Sequence, residues 1–454
     1  MLTYELKKAP GVPLYESLYR CLRSDILSGR LAPGEKLPSK RALAENLKVS
    51  KITVETAYSQ LLSEGYIRSA EKVGYFVEEL HRSQPAPPVS QPAPAEPEEA
   101  VLDLTANGCA HFPFSVWSRL QRQILLDYGQ QLLKPLPNQG AYELRAAIAD
   151  HLSGFRGMSV DPDNIIIGAG TDCLYNLLIQ LLGRDKIYAV EEPGYDKIRK
   201  IYAAGGVRCI SAPMDDRGVI PGQLRDAQIL HISPAHHFPT GILTPLQRRR
   251  ELLDWVNDRQ GYIIEDDYDS EFLFHAHPVP TLQALDVNGR VIYMNTFSKT
   301  LAPSIRVGFM VLPGALMAQF REKLGFYSCT VPSFEQYALA RFLQDGHFEK
   351  HINRMRKFYR TRRERVANAL KSCAWADKMT LLEADAGLHF LLKLRTDLSD
   401  EALSDRWARA GIRVNPLSRY YHGTCPDWAK RCLLINYSGL DESQLWRLQN
   451  VNMD

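Results

Sequence analysis

A proline-rich segment divides this sequence into two parts. Residues 81–100 read HRSQPAPPVSQPAPAEPEEA, which is dense in proline, alanine and glutamate and shows no apolar periodicity. Such a composition buries too little apolar surface to fold, and proline favours an extended polyproline II conformation. At about 3.1 Å per residue the segment can span roughly 60 Å. We therefore predict two folded parts, residues 1–80 and 101–454, joined by a tether over 81–100.

Length and composition are typical of a soluble globular protein with two or three domains. The chain has 454 residues, of which 45% are hydrophobic and 24% charged, and its net charge is +3. It contains no run of about 18 uncharged apolar residues, and its start, MLTYELKKAPG, lacks the apolar region of a secretion signal. We therefore expect a cytoplasmic protein with no membrane partner. The 8 cysteines are scattered without a CxxC pair, which predicts reduced thiols.

The first part carries a helix-turn-helix pattern. A first helix is indicated by apolar residues at helical spacing that end at Gly29, namely Leu14, Leu18, Leu22 and Ile26. Two short helices follow across a tight turn, one over 40–47 after Ser39 and one over 51–65 after Ser50. Two β-rich runs around a polar turn, in YIRSAEKVGYFVEE, then predict a wing. The later helix of such a pair lies in the DNA major groove, so we expect a double-stranded DNA operator as partner.

The same stretch resembles the winged helix-turn-helix domain of the GntR family of regulators. The resemblance covers nearly all of residues 13–78 and is carried by LAPGEKLPS, by the hydroxyl-bearing turn and by LLSEGYI, in family order and spacing. It implies the following DNA-contacting residues: Ser39, Arg41, Ser50 and Thr53 at phosphates, Lys51 near the bases, and Lys72 in the wing. Phosphate contacts give affinity and register, whereas base contacts give sequence choice.

The second part alternates short apolar runs with helical segments. The β-rich runs are NIIIGAG (164–170), KIYAVEEPGY (186–195), QILHISPAH (228–236), GYIIEDDYD (261–269) and RVIYMNTFSK (290–299). Such alternation predicts an α/β fold with a mostly parallel sheet flanked by helices. Ligands of these folds bind at the carboxyl ends of the strands, and the chemically distinctive residues lie just past the apolar runs.

Those residues match what pyridoxal 5'-phosphate requires. Its aldehyde needs a lysine amine, its pyridine nitrogen an anionic partner, and its phosphate the start of a helix with hydroxyls and a cation. A flat side chain should stack on the ring, and a donor should lie near the phenolic oxygen. The chain offers Lys299 for the aldehyde, Asp266 for the ring nitrogen, Tyr268 for the phenolic oxygen, Tyr195 for stacking, and Gly170, Thr171, Asp172, Thr296, Ser298 and Arg306 for the phosphate.

Residues 101–450 resemble an aminotransferase of fold type I. The strings that carry the resemblance are NQGAYELRAAIADHL, IIIGAGTDCL, VEEPGY, FPTG, IIEDDYDSEF and FSKTLAPSIRVGFM. Together with the winged helix, the whole chain resembles the MocR subfamily of GntR regulators. This resemblance implies a mostly parallel sheet with a smaller C-terminal α+β part, a Schiff base between Lys299 and pyridoxal 5'-phosphate, and a homodimer.

Three positions depart from the pattern of working aminotransferases. Phe238 replaces the asparagine of NPTG, Leu434 stands where an arginine for the substrate carboxylate is expected, and Lys197 stands where some relatives have arginine. Loss of a buried two-pronged arginine contact costs several kcal/mol if nothing replaces it. Either the ligand is not an ordinary α-amino acid, or another cation substitutes. Arg413 and Arg419 are the candidates, whereas Arg431 lies three residues before Leu434 and need not point the same way.

We predict a transcriptional regulator that senses pyridoxal 5'-phosphate, or an amine or amino-acid effector, through its aminotransferase-like part. We do not expect it to be an enzyme, although residual transamination stays open. The alternatives are an active aminotransferase with an attached DNA-binding domain, and a DNA-binding protein that has lost the cofactor. We predict no metal site, because His236, His237, His275 and His277 lack a carboxylate or cysteine that completes a ligand set.

Overall fold

The chain folds into two compact units, residues 1–97 and 98–454, which are described separately. The computed structural model describes residues 2–4, 6, 13–71, 73–79, 101–108, 111–272, 279–382 and 387–452. The predicted tether, the predicted DNA contact Lys72, and His275 and His277 lie outside the described residues. No helix within the described ranges combines the length and the apolar run that a bilayer span needs.

The first unit is a three-helix fold with a β-hairpin. Its elements are α1 (Leu14–Ser28), α2 (Lys40–Leu47), α3 (Lys51–Ser63), β1 (Ile67–Ala70) and β2 (Gly74–Val77). The two strands pair in antiparallel fashion and form the predicted wing. Apolar residues from all three helices and both strands share one core, which includes Leu18, Leu43, Tyr58 and Val77.

Hydroxyl caps define the starts of α2 and α3. The side chain of Ser39 accepts a hydrogen bond from the Ala42 amide at 3.2 Å, and that of Ser50 accepts one from the Thr53 amide at 3.1 Å. Between the helices, Lys48 adopts a left-handed conformation with φ of 51°. The starts of both helices therefore follow the cap signals that the sequence carries, whereas α3 ends at Ser63, two residues before the predicted end at position 65.

The second unit is built on an eight-stranded sheet. Its strands are β4 (Ile165–Gly168), β5 (Ile187–Glu192), β6 (Arg208–Asp215), β7 (Gly218–Val219), β8 (Ile229–Ile232), β9 (Tyr262–Asp266), β10 (Val291–Thr296) and β11 (Gly308–Val311). A short strand β3 (Leu102–Asp103) precedes them. The strand order is β4-β11-β10-β9-β8-β5-β6-β7. The central strands β10, β9, β8, β5 and β6 are parallel, whereas β11 runs antiparallel to both of its neighbours.

Helices cover both faces of this sheet. They are α4 (Phe114–Tyr128), α5 (Tyr142–Arg156), α6 (Thr171–Leu182), α7 (Asp196–Ala204), α8 (Leu246–Arg259), α9 (Leu282–Leu285), α10 (Gly314–Leu324), α11 (Ser333–Gln344) and α12 (His347–Lys371). Alternate strand residues face opposite cores: Ile166 packs in the cluster that contains α6 and α10, and Ile165 and Ile167 in the cluster that contains α5, α11 and α12. Burial on both faces explains why these strands read as continuous apolar runs.

A smaller α+β part completes the second unit. It contains β12 (Met379–Leu382), β13 (His389–Leu394), α13 (Asp400–Arg409), β14 (Ile412–Arg413), β15 (Asn415–Pro416) and β16 (Cys432–Asn436). Strands β12, β13, β16 and β15 form an antiparallel sheet in that order, and β14 pairs in parallel with β3. The two units have the folds expected from the sequence: a winged helix comes first along the chain, and an aminotransferase fold of type I follows it.

Acidic residues after β9 are buried among arginines. Asp267 lies 2.9 Å from Arg156 in an ion pair whose two side chains are 1% and 2% exposed. Asp267 also accepts a hydrogen bond from the Tyr293 hydroxyl at 2.7 Å. Burial is the largest single effect on Arg156 and lowers its pKa, but the negative charge of Asp267, together with the other acidic groups nearby, raises that pKa above its usual value. The pair fixes the chain immediately after Asp266.

Glu271, at the end of the same acidic run, should make stability depend on pH. Burial, with the nearby carboxylate of Asp267, raises the pKa of Glu271 from 4.5 to about 7. A carboxyl group with a raised folded-state pKa contributes stability that is complete below pH 4.5 and is lost as the pH rises through about 7. We therefore expect Glu271→Gln to have a larger free energy of unfolding than the native protein. The difference between the two should grow from pH 5 to pH 8 and reach about 3 kcal/mol.

Urea unfolding at the two pH values measures that margin. The matched control is Glu322→Gln, which makes the same change on an exposed side chain. A margin for Glu271→Gln that stays constant between the two pH values would contradict the prediction.

A candidate cofactor site at the carboxyl ends of the strands

A cleft of about 330 Å³ opens where the parallel strands of the large sheet end. It is lined by predicted site residues that come from separate strands and loops, namely Thr171, Asp172, Tyr195, Asp266, Tyr268, Thr296, Ser298, Lys299 and Arg306. Gly170 directly precedes the helix that supplies Thr171. The fold therefore brings together residues that are up to 136 positions apart, from Gly170 to Arg306.

Lys299 lies partly buried just after β10. Its Nζ donates a hydrogen bond to Asn107 Oδ1 at 2.7 Å. Burial lowers the pKa of Lys299, and the carboxylate of Asp269 only partly opposes this effect. A lysine with a lowered pKa has more of the neutral amine that attacks an aldehyde.

Asp266, the last residue of β9, is 5% exposed and only partly satisfied. Its Oδ2 accepts a hydrogen bond from the Tyr175 hydroxyl at 2.5 Å and lies 3.5 Å from His231 Nε2. Its Oδ1 is buried and has no hydrogen-bond partner among the described residues. A buried carboxylate oxygen without a partner is costly, and a cationic ring nitrogen would satisfy it.

Tyr268 and Tyr195 contribute aromatic side chains to the lining of the cleft. The Tyr268 hydroxyl lies 3.3 Å from His236 Nδ1, and burial, with the Asp269 carboxylate, raises its pKa, so it stays protonated and can donate. Tyr195 is 51% exposed and stands edge-on to Phe238, with ring centres 5.7 Å apart at 83°. A flat ligand therefore has access to the Tyr195 ring.

The first turn of α6 is suited to an anion. Gly170 precedes the helix with φ of 81° and offers no side-chain cap, so the first amide groups of α6 have no capping partner there. The guanidinium group of Arg306 lies close by: a Cβ atom on Gly170 would come within 2.7 Å of Arg306 Nη2. The Thr296 hydroxyl donates to that of Ser298 at 3.1 Å. Position 170 therefore needs glycine because of its positive φ and because of the close approach of Arg306.

Asp172 occupies the same end of α6 but faces cations. Its Oδ2 lies 2.7 Å from Lys197 Nζ and 3.4 Å from Arg306 Nη2. One carboxylate thus serves two cations, which leaves one positive charge in excess for an anion. The contact also explains Lys197, which pairs with Asp172 across the cleft.

Several cleft residues were missed from the sequence. They are Asn107, Gly108, Tyr175, Glu191, Arg199, His231, Ser233 and His422. Tyr175 could have been found, because it lies one helical turn after Thr171 and therefore on the same face of α6. Asn107 and His422 come from loops far along the chain and carry no such signal.

The three arginines considered as replacements at Leu434 do not line the cleft. Arg413 pairs with Asp103 at 2.9 Å, Arg419 donates to Asn415 Oδ1 at 3.1 Å, and Arg431 donates to the Thr396 carbonyl at 3.3 Å. Within the described ranges, no group of three or more metal-ligating side chains is placed to hold a metal ion.

Both units match known protein families. Residues 14–77 match the bacterial regulatory proteins of the gntR family, and residues 99–450 match aminotransferase class I and II. The probable rhizopine catabolism regulatory protein MocR of Rhizobium meliloti is 33% identical over 96% of this chain and 92% of its own. The chain is a MocR-type regulator of the GntR family.

Further similarities support this assignment. The HTH-type transcriptional regulator YhdI of Bacillus subtilis is 37% identical to the MocR-type regulator described here, over 98% of this chain and 96% of its own. Among solved structures, the kynurenine aminotransferase of Pyrococcus horikoshii matches with a TM-score of 0.67 and 25% identity, over 77% of this chain and 90% of its own. That structure is a complex with PMP and kynurenine. The MocR-type regulator therefore pairs a DNA-binding fold with an aminotransferase-like fold.

Proposed function

We propose that this regulator holds pyridoxal 5'-phosphate on Lys299 and uses it to sense an amine, an amino acid or the cofactor itself. The observation that carries the proposal is Asp266, a buried carboxylate at a strand end with one oxygen that lacks a partner in the part of the chain that the structure describes. The charges and hydrogen-bond donors of the cleft residues fit the cofactor, and Gly170 leaves room for Arg306 beside the proposed phosphate site.

Each predicted residue has a role in this proposal. Lys299 attaches the aldehyde carbon, Asp266 pairs with the ring nitrogen, Tyr268 donates to the phenolic oxygen and Tyr195 stacks on the ring. The phosphate is held at the start of α6 by Gly170, Thr171, Thr296, Ser298 and Arg306, while Asp172 orients Arg306 and Lys197. When bound, the cofactor supplies an aldehyde that condenses reversibly with primary amines. An effector amine would therefore compete with Lys299 for that carbon.

We also propose that the protein senses its ligand without turning it over. Leu434 replaces the cation that would hold a substrate carboxylate, and Phe238 replaces a donor to the phenolic oxygen. Positioning of the reacting carbon supplies much of an enzyme's rate, so loss of both groups lowers turnover more than binding.

The experiment that tests this proposal is a titration of the purified protein with pyridoxal 5'-phosphate and then with amines and amino acids. We expect a visible band of the bound cofactor, a stable spectral shift with the effector, and no keto acid. Stoichiometric release of keto acid would instead make the protein an aminotransferase. Absence of any cofactor band would reject the cofactor assignment.

We propose that DNA contacts come from the starts of α2 and α3. Ser39, Arg41, Ser50 and Lys51 are exposed there, and Thr53 is partly exposed. Arg41 lies 3.6 Å from Glu45 with both side chains more than 70% exposed (86% and 73%), so this pair holds it only weakly. We also propose Lys72 as a DNA contact, on the basis of the sequence alone.

Removal of one phosphate contact should change the salt dependence of DNA binding. We expect Arg41→Ala to weaken binding of a duplex selected from a random pool, and to reduce the slope of log K against log salt by about 0.9. Binding at several salt concentrations measures this slope. The control is Lys134→Ala, which removes one exposed charge from the second unit. Equal changes in both variants would contradict a contact by Arg41.

The remaining proposals concern organisation. We propose a DNA-binding domain at 1–80, a linker at 81–100 and an effector domain at 101–454, in a cytoplasmic protein. A homodimer is supported by large apolar side chains exposed on the second unit, among them Leu126, Leu133 and Phe326, at 80%, 76% and 76% exposure. Effector binding would then act on DNA by favouring one arrangement of the domains over another.

A further inference from the structure

Asn107 lines the cleft next to Lys299, and two residues of the small sheet, Asn436 and His389, lie behind it. Asn107 Oδ1 accepts from Lys299 and also from Asn436 Nδ2, the latter at 2.9 Å. His389 lies directly opposite Asn436 in the small sheet. Burial, followed by the proximity of His236, keeps the pKa of His389 well below its usual value. At neutral pH these three side chains, Asn107, Asn436 and His389, therefore carry no charge.

Farther along β16 the small sheet becomes apolar. Leu434 lies two residues before Asn436 on β16 and so projects from the same face of the small sheet. It is 3% exposed and packs in a cluster with Phe238 and Tyr420. Phe238 joins this cluster to the cleft, because its ring centre lies 5.3 Å from that of Tyr420 and 5.7 Å from that of Tyr195. The position of the missing arginine is thus filled by hydrocarbon.

The arginines and lysines that line the described part of the cleft, Lys299 apart, already have acidic partners. Lys197 and Arg306 share Asp172, and Arg199 lies 3.6 Å from Glu192. The surplus positive charge at Asp172 lies at the start of α6, where the phosphate would bind. None of these cations belongs to the small sheet.

We propose that the effector is a primary amine whose amine-bearing carbon carries an uncharged, apolar group and no carboxylate. Phe238, which lines the cleft, and Leu434 and Tyr420, which pack in one cluster with it, are the specificity-determining residues, since this cluster is apolar and supplies no counter-ion. The inference rests on the proposed function and narrows its ligand class. A carboxylate placed against this cluster would lose its water without gaining a partner, whereas an apolar group gains from burial.

Matched pairs of compounds test the inference. The cofactor-loaded protein is titrated with 2-phenylethylamine and with L-phenylalanine, and with 3-methylbutylamine and with L-leucine; each pair differs by the carboxylate alone. Binding is followed by the spectrum of the cofactor and by calorimetry, with free cofactor in buffer as the blank. We expect each amine to bind at least about 100-fold more tightly than its amino acid.

The possible outcomes are distinct. Equal or tighter binding of the amino acids overturns the inference, and so does failure of both amines to bind a protein that shows the cofactor band. A missing cofactor band before any amine is added rejects the proposed function instead.

Variants provide a second measurement. Leu434→Arg should raise the affinity for L-phenylalanine and lower that for 2-phenylethylamine. Phe238→Asn, which introduces no charge, should shift the ratio of these two affinities in the same direction. Val287→Arg is the control, because it adds the same cation at a side chain that is 91% exposed. Circular dichroism verifies folding of each variant. An unchanged ratio in folded Leu434→Arg and in Phe238→Asn would overturn the roles of both residues.

Discussion

Lys299→Ala should abolish covalent attachment of pyridoxal 5'-phosphate completely. The lysine nitrogen is the group that bonds to the aldehyde carbon, and alanine offers no nitrogen in its place. Burial lowers the pKa of Lys299, which favours the reactive neutral amine. Borohydride treatment of the loaded protein followed by mass spectrometry measures the adduct: the native chain should carry one cofactor and the variant none. Weak noncovalent binding should persist, because the phosphate site is intact.

A neighbouring lysine provides the matched control. Lys200 on α7 is exposed and pairs with Asp196 at 2.5 Å, outside the residues that line the cleft. Lys200→Ala should therefore retain the full adduct. An adduct of undiminished yield in Lys299→Ala would show that a different amine carries the cofactor and would remove the basis for the proposed function.

Arg156→Met should destabilise the second unit by about 3–5 kcal/mol, the cost of removing one member of a buried ion pair. Methionine preserves most of the apolar stem but leaves Asp267 with the Tyr293 hydroxyl as its remaining described hydrogen-bond partner. The uncompensated charge would stand beside Asp266, so cofactor affinity should fall as well. Denaturant unfolding measures the first effect and cofactor titration the second.

Two further variants test whether the loss of stability in Arg156→Met comes from breaking a buried ion pair. Arg413→Met breaks a pair of the same length, 2.9 Å, on a side chain that is 61% exposed, and it should cost about 1 kcal/mol or less. Adding Asp267→Asn to Arg156→Met should recover most of the lost stability, since it removes the unpaired charge. Comparable losses in Arg156→Met and Arg413→Met would mean that burial does not determine the strength of the pair.

Local signals in the sequence predicted the elements better than their arrangement. The caps Ser39 and Ser50 marked the starts of α2 and α3, and the apolar runs marked β4, β5, β8, β9 and β10. The strand β11 was not predicted, because a short antiparallel strand buried on both faces has no periodicity that separates it from its neighbours. Strand order likewise depends on tertiary packing and has no local signature.

The candidate site was predictable where its residues follow strands. Asp266 and Lys299 could be placed because each lies at or just past the end of a buried run. The pairing of Asp172 with Lys197 could not, since it depends on how α6 and α7 approach each other. For the same reason the sequence left Arg413 and Arg419 as candidates, although both contact neighbours away from the cleft.

Asn107 links the chemistry of Lys299 to the route of the polypeptide. It stands seven residues after position 100, where the predicted linker ends, and β3 lies between them. Its Oδ1 accepts from Lys299 at 2.7 Å and from Asn436 at 2.9 Å. A lysine nitrogen that is doubly bonded to carbon has fewer hydrogens to donate. Each change at that nitrogen therefore alters the hydrogen bond that Lys299 donates to Asn107. Asn107, seven residues past the predicted linker, therefore lies beside the lysine nitrogen that an effector amine would displace.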